Sequence, residues 1–142
     1  VRAMLKDDQF WISDDKAKLD MSVIKGYLAR SYWAGQRLEE IIERSVQNSL
    51  CYGIYRAEGQ VGFARVVTDD ATIYYLCDVF IDEEFRGMGL GKKLVQYITQ
   101  SERFRNIPGM LGTRDAHELY EQFEFRRDGD ILMRRRPDHM RS

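Results

Sequence analysis

Residues 72–95 read TIYYLCDVFIDEEFRGMGLGKKLV. An apolar strand comes first, then a short acidic turn, then Arg86-Gly87-Met88-Gly89-Leu90-Gly91-Lys92, and at once an amphipathic helix. Glycines between a strand and a helix start leave backbone N–H groups bare. With the positive end of the helix dipole, those donors make a site for phosphate. The stretch reads as the cradle of a coenzyme's pyrophosphate, with the rest of the chain placing an acceptor beside it. The bland alternative is a tight turn with no ligand; three glycines and two cations, Arg86 and Lys92, around one helix start favour phosphate.

Spacing decides which phosphate loop this is. A P-loop needs GxxxxGK followed by Ser or Thr, but Gly91-Lys92 is followed by Lys93, and Arg86 stands where the first glycine belongs. The dinucleotide fingerprint GxGxxG fails because Gly91 comes one residue early.

Working outward, residues 10–12 read as a first strand ending at Ser13-Asp14-Asp15. Asp20 is placed to cap a helix whose face is Val23, Ile24, Tyr27 and Leu28. A second helix is expected over residues 36–48, with Leu38, Ile41, Ile42 and Val46 on one side. Residues 50–56, 61–68 and 72–82 read as three strands joined by the turns at Gly59 and Asp69-Asp70, an antiparallel meander. After the loop, Leu90, Leu94, Val95 and Ile98 form a helical face. Residues 110–112 are a short strand, residues 115–123 a short helix, and Phe125 with residues 131–135 a final hairpin around Asp128-Gly129-Asp130. The predicted class is α/β (α+β), in the order βααβββαβαββ: a mixed, mostly antiparallel sheet with helices on both faces. Residues 4–137 form one domain and 138–142 a polar tail; Met4 is a candidate native start, with Val1, Arg2 and Ala3 an addition to it.

The composition sets bounds. The chain has 142 residues, an apolar fraction of 44% and a formal net charge of -1, which suits one domain with a real core and gives no global pull toward nucleic acid or membrane. No apolar run approaches the ~20 residues of a membrane helix and no signal-peptide pattern is present, so a cytoplasmic protein is expected. Cys51 and Cys77 read as buried, reduced apolar residues. His117 and His139 are far apart and sit in no metal motif, so no metal is expected.

The spacing Arg86-x-x-Gly89-x-Gly91 resembles the coenzyme A loop of the GCN5-related N-acetyltransferases (the GNAT family), [Q/R]xxGx[G/A]. Downstream, Ala116-x-x-Leu119-Tyr120-x-x-Phe123-x-Phe125 is similar to that family's AxxLYxxxGF segment, and the resemblance spans roughly residues 10–135. It implies acetyl-CoA as co-substrate and transfer of its acetyl group to a primary amine of a small molecule or peptide. By resemblance, the coenzyme arm pairs with main-chain groups of Val79, Phe80 and Ile81. Its pyrophosphate sits on Arg86, Gly87, Met88, Gly89, Gly91 and Lys92, chiefly through the main chain. Tyr120 takes the place of the general acid. Two positions depart from the pattern: Thr113 replaces an asparagine, and Glu124 replaces the glycine between the two phenylalanines, implying a less tight turn.

The base is open. The strand has no glutamate before Glu83, and Asp78 is the carboxylate inside it: a base, an anchor for the acceptor amine, or a structural acceptor. Simple alternation puts Asp78 on a face with Tyr74, Leu76 and Phe80, and Ile73, Tyr75, Cys77, Val79 and Ile81 on the other. By resemblance the acceptor side falls to Tyr27, Ser31, Tyr32 and Trp33; Tyr27 and Tyr32 read equally as core packing between the helices, and Trp33 is the better pocket wall. Aromatics beside Asp78 suit a cation or primary amine. Arg65 is a candidate for an acceptor carboxylate or a solvated edge position. Arg126-Arg127 and Arg134-Arg135-Arg136 are solvated faces or helpers of the coenzyme's 3′-phosphate. Dimerisation is common among look-alikes, so a homodimer is admitted. The competing function is a non-catalytic coenzyme A-binding sensor or partner module.

Overall fold

The computed structural model describes residues 2–5 and 9–140. Val1 of the expected addition and residues 141–142 of the expected tail lie outside them. One sheet of six strands runs in chain order: β1 (Arg2–Leu5), β2 (Phe10–Ser13), β3 (Leu50–Arg56), β4 (Gly59–Thr68), β5 (Tyr74–Ile81) and β6 (Gly109–Met110). Every pair is antiparallel except β5–β6, which is parallel. The meander and the mixed sheet follow the sequence pattern.

Helices cover both faces. On one, α1 (Met21–Ala29) and α2 (Glu39–Gln47) bury Ile24, Tyr27, Leu28, Ile42 and Val46 against Cys51, Phe63 and Phe80. Asp20 caps α1 as its position predicts, its carboxylate accepting from the Ser22 and Val23 N–H groups. On the other face α3 (Leu90–Thr99) seats Leu90, Leu94, Val95 and Ile98 on Ile12, Ile54, Ala64, Val66 and Leu76. The short α4 (His117–Glu121) packs Tyr120 at the margin of this second cluster, with Phe123 and Phe125 beyond the helix end.

The structure departs from the expected order at both ends. Arg2 and Ala3 belong to a strand, β1, pairing with Ser13 and Ile12, so the folded unit reaches back past Met4. The final hairpin does not form. Residues 125–135 contain no strand, and Ile131, Leu132 and Met133 are exposed. Their apolar triad has nowhere to pair: the sheet edge there is β6, only two residues long. Residues of the expected tail make a 3-10 turn, Asp138–Met140. The second helix starts at Glu39, so Leu38 and Ile41 lie exposed rather than on the buried face.

The two-residue β6 matters because it ends the sheet. It pairs only with Tyr74 and Tyr75, so residues 76–81 of β5 have no strand partner on that side and a cleft opens there. The pair meets closely: a Cβ at Gly109 would collide with the Tyr74 ring, which is 5% exposed and packs on Phe104 at 4.8 Å between centroids. Gly109→Ala is expected to cost about 1–3 kcal/mol, because a buried ring cannot swing aside; the shift of the urea unfolding midpoint measures it.

Candidate active site

The cleft lies between β5, the α1–α2 connection and the segment leading into α4. Its volume is about 1340 Å³. That exceeds the ~300–1,000 Å³ of a site for one small ligand, and leaves room for two reactants side by side. It is cationic: Arg30, Arg37, Arg65, Arg86, Arg114 and Arg134–Arg136 line it, against Asp78 and Asp115.

β5 is not a regular strand. Phe63 of β4 lies opposite Phe80 and Arg65 opposite Cys77, so Ala64 alone faces both Asp78 and Val79. This is a β-bulge, with Asp78 at a φ of 54°. Aspartate is one of the few residues that tolerate this left-handed region. The bulge changes the strand's parity and overturns the alternation expected above. Tyr74 and Leu76 pack in the α3-side cluster, but so do Val79 and Ile81, while Phe80 turns to the α1–α2 side and stacks on Tyr27 at 4.7 Å. Asp78 therefore does not share a face with Leu76. Tyr27 is core, not pocket wall.

Asp78 is 4% exposed, and both oxygens of its carboxylate accept hydrogen bonds. Trp33 Nε1 donates to Oδ1 at 2.8 Å, while Arg37 Nη1 and Arg65 Nε each donate to Oδ2 at 2.9 Å. Arg65 also donates to Ser49 Oγ at 3.0 Å, so it is neither a solvated edge residue nor free for a ligand along that side. Burial alone would raise the Asp78 pKa; Arg37 and then Arg65 outweigh it and hold the carboxyl below its ordinary value. It is a buried anion at neutral pH, committed to three protein donors. Asp82, the next carboxylate along, accepts from the Glu84 N–H and from the Tyr27 hydroxyl, and Glu83 after it is held by Arg30 through bonds of 2.8 and 3.0 Å that keep its pKa low. Ser31 is also structural, donating to the Leu28 carbonyl and accepting from the Ala34 N–H.

Two aromatics expected on the acceptor side do line the cleft. Trp33 is 41% and Tyr32 49% exposed, and their rings meet edge to face. The Tyr32 hydroxyl accepts from the Arg114 N–H at 3.0 Å, and the Arg114 guanidinium lies 3.9 Å over the Tyr32 ring. This contact ties the α1–α2 connection to the segment before α4. Arg37 was missed in sequence because residues 36–48 read as one helix. The signal that could have found it is Asp78 itself, since a carboxylate in an apolar strand needs cationic partners.

Beyond β5 the chain makes a 3-10 turn, Glu83–Phe85, and then the glycine loop. Gly87 and Gly89 take φ values of 82° and 78°, left-handed conformations that require glycine here. Gly89 is the N-cap of α3, and no side chain caps that helix. A Cβ at either position would meet nothing within 4 Å, so the space over the loop is open. Met88 turns its side chain inward to the core. The Arg86 side chain folds back over Phe80 and donates to the Ile81 carbonyl at 2.9 Å, leaving its main chain at the loop. Lys92 is exposed in the first turn of α3.

Tyr120 enters the cleft from α4, packed edge-on to Phe125 at 6.1 Å. Burial pushes its phenol up to about 12. The turn after it is tight, not loosened: Glu124 adopts a φ of 71°, and the Phe125 N–H reaches back to the Tyr120 carbonyl. Thr113 accepts from the Ala116 N–H at 3.0 Å, fixing the approach to α4. Cys51 is buried and Cys77 partly so; both are free thiols, and burial pushes Cys77 up to about 11. Among the described residues no cluster of His, Cys, Asp or Glu could hold a metal, and no helix is long and apolar enough to cross a membrane.

The family model for the acetyltransferase (GNAT) domain matches residues 47–127. A protein of Gibberella zeae, named as a candidate acetyltransferase, is 28% identical over 78% of this chain and 75% of that protein. A crystal structure from Xanthomonas campestris pv. campestris, of a protein assigned to the same family as an acetyltransferase, is 32% identical, covering 97% of this chain and 98% of that one with a TM-score of 0.87. A GNAT acetyltransferase from Elizabethkingia anophelis, solved with acetyl-CoA bound, shares the fold at 15% identity and a TM-score of 0.63, over 82% of this chain and 75% of that one.

Asp78→Asn keeps a residue that tolerates positive φ but removes the charge from between two arginines. It is expected to cost about 3 kcal/mol, the scale of breaking a buried ion pair. The folded-state pKa of Asp78 lies below its unfolded value of about 3.9, so its stabilisation is complete above that value and lost as pH falls through the folded one. Urea denaturation from pH 7 to pH 2 should show the gap between wild type and Asp78→Asn closing only below about pH 4.

Proposed function

The chain belongs to the GNAT family of acetyltransferases and is an N-acetyltransferase; from that premise we propose that it moves the acetyl group of acetyl-CoA directly to a primary amine held against Tyr32 and Trp33. The observation that carries the reading is the conjunction at β5. Its edge is unpaired beyond Tyr75, and it runs straight into an uncapped helix N-terminus behind left-handed glycines. An extended amide-bearing arm lies along Val79–Ile81 as an added strand, and its pyrophosphate takes the main-chain N–H groups of residues 86–92, with Lys92 at the rim.

The amine nitrogen attacks the thioester carbonyl carbon, and the C–S bond breaks. A main-chain N–H of the β5 edge holds the carbonyl oxygen as charge develops there. The Tyr120 phenol gives its proton to the departing thiolate and is reprotonated from water. With its pKa pushed up to about 12, Tyr120 is in the acid form throughout the physiological range. The amine proton leaves to water, because Asp78 and Glu83 are both committed to arginines. Cys77 stays a thiol, which favours direct transfer over an acyl-cysteine intermediate.

Thiol release from acetyl-CoA across an amine panel tests the reading; absence of turnover on every acceptor, with coenzyme A bound, would return it to the sensor alternative. Tyr120→Phe is expected to lower kcat by about 10²–10⁴, the usual worth of a positioned acid, with coenzyme A affinity retained. Unchanged turnover would remove Tyr120 from the chemistry. Gly89→Ala, forced into a left-handed conformation at the N-cap, is expected to weaken coenzyme A binding by about tenfold or more, read by calorimetric titration.

A further inference from the structure

The cluster around Asp78 carries a surplus. One carboxylate faces two guanidinium groups, so the site beside the bulge has one positive charge more than it cancels. The two arginines are not equivalent. Arg65 gives Nε to Asp78 and Nη1 to Ser49, and its side chain is 13% exposed. Arg37 gives only Nη1 to Asp78, its side chain is 24% exposed, and it lines the cleft; the rest of its fork has no partner among the described residues. Among the described residues no other carboxylate forms an ion pair with it: Glu39 and Glu43 pair with Lys25 and Glu83 with Arg30, while Asp115 lines the cleft without a salt bridge to Arg37. Arg114, over Tyr32, adds a second guanidinium to the same wall. Arg37 acts at the bulge, whereas the glycine loop follows the end of β5.

We propose that the acceptor is an amine that also carries a carboxylate, an amino-acid-like zwitterion, and that Arg37 binds this carboxylate. A half-engaged guanidinium beside an aromatic wall matches a planar anion. A diamine or a basic peptide would set a second cation against an unbalanced one. The expectation that Asp78 draws a cationic acceptor is thereby reversed, since its charge is already taken up.

The inference rests on the transferase reading, and the test separates the two. Wild-type protein with acetyl-CoA is assayed on γ-aminobutyrate, its amide and 1,4-diaminobutane, compared at equal concentration of free amine. The carboxylate is expected to win by about tenfold or more in kcat/KM, and the ratio to fall to within about threefold in Arg37→Gln. Should Arg37→Gln fail to fold, Arg37→Lys, which keeps the charge but not the fork, is expected to lower the ratio severalfold. Equal or better turnover of the amide or the diamine, or an unchanged ratio in the variants, would overturn the inference and leave the transferase reading standing. If no amine turns over, tryptophan fluorescence of the protein with coenzyme A present or absent reads butyrate against butyramide at Trp33. Preferential binding of butyrate, lost in the Arg37 variant, supports the carboxylate site; equal binding overturns it.

Discussion

The arrangement of this site depends on one buried carboxylate in an unusual backbone conformation. Asp78 sits at the β5 bulge and is held by Trp33, Arg37 and Arg65. Those partners come from the α1–α2 connection and from β4, so one group ties the helical layer to the sheet. Buried ion pairs add little net stability over an apolar core, yet they specify arrangement, because every wrong packing leaves a charge without a partner. The extra residue at the bulge also sends Phe80 to Tyr27 and returns Val79 and Ile81 to the α3 side. The Tyr32–Trp33 wall and the open β5 edge are therefore set by the same local irregularity.

The second constraint is what β5 lacks. A strand interior to a sheet normally has both edges paired, but β5 loses its neighbour after Tyr75. Free edges invite unwanted pairing with other chains. Here the edge lies inside a cleft rimmed by arginines, which repel one another across copies of the chain. The tie between Tyr32 and Arg114 bridges the two sides of that cleft. An edge available to an extended ligand is thus shielded from a second sheet.

Local chemistry made much of this legible in sequence. Asp20 capped its helix, the α3 face fell where its period put it, and the glycine loop came between strand and helix as the residue order implied. What the sequence hid were choices made by partners distant in the chain. The alternation argument along residues 73–81 assumed an unbroken period of two, and only pairing with β4 inserts the extra residue. Arg37 was hidden by a helix start placed three residues early. Ile131–Met133 looked like a strand by propensity, but propensity creates no edge to pair with. Glu124 departs from the glycine of the resembling pattern, yet the chain keeps the turn; residue type there misjudged how firmly the packing of Phe123 and Phe125 dictates the backbone.

The missing cap on α3 has a thermodynamic meaning of its own. Like α2 and α4, this helix has no side-chain cap, but it begins on a glycine with open space above it. In the free protein water must serve those N–H groups. On the proposed function a bound phosphate would replace that water, and the ligand would be the last piece of the helix as well as its guest. Loop order and ligand occupancy would then be one equilibrium.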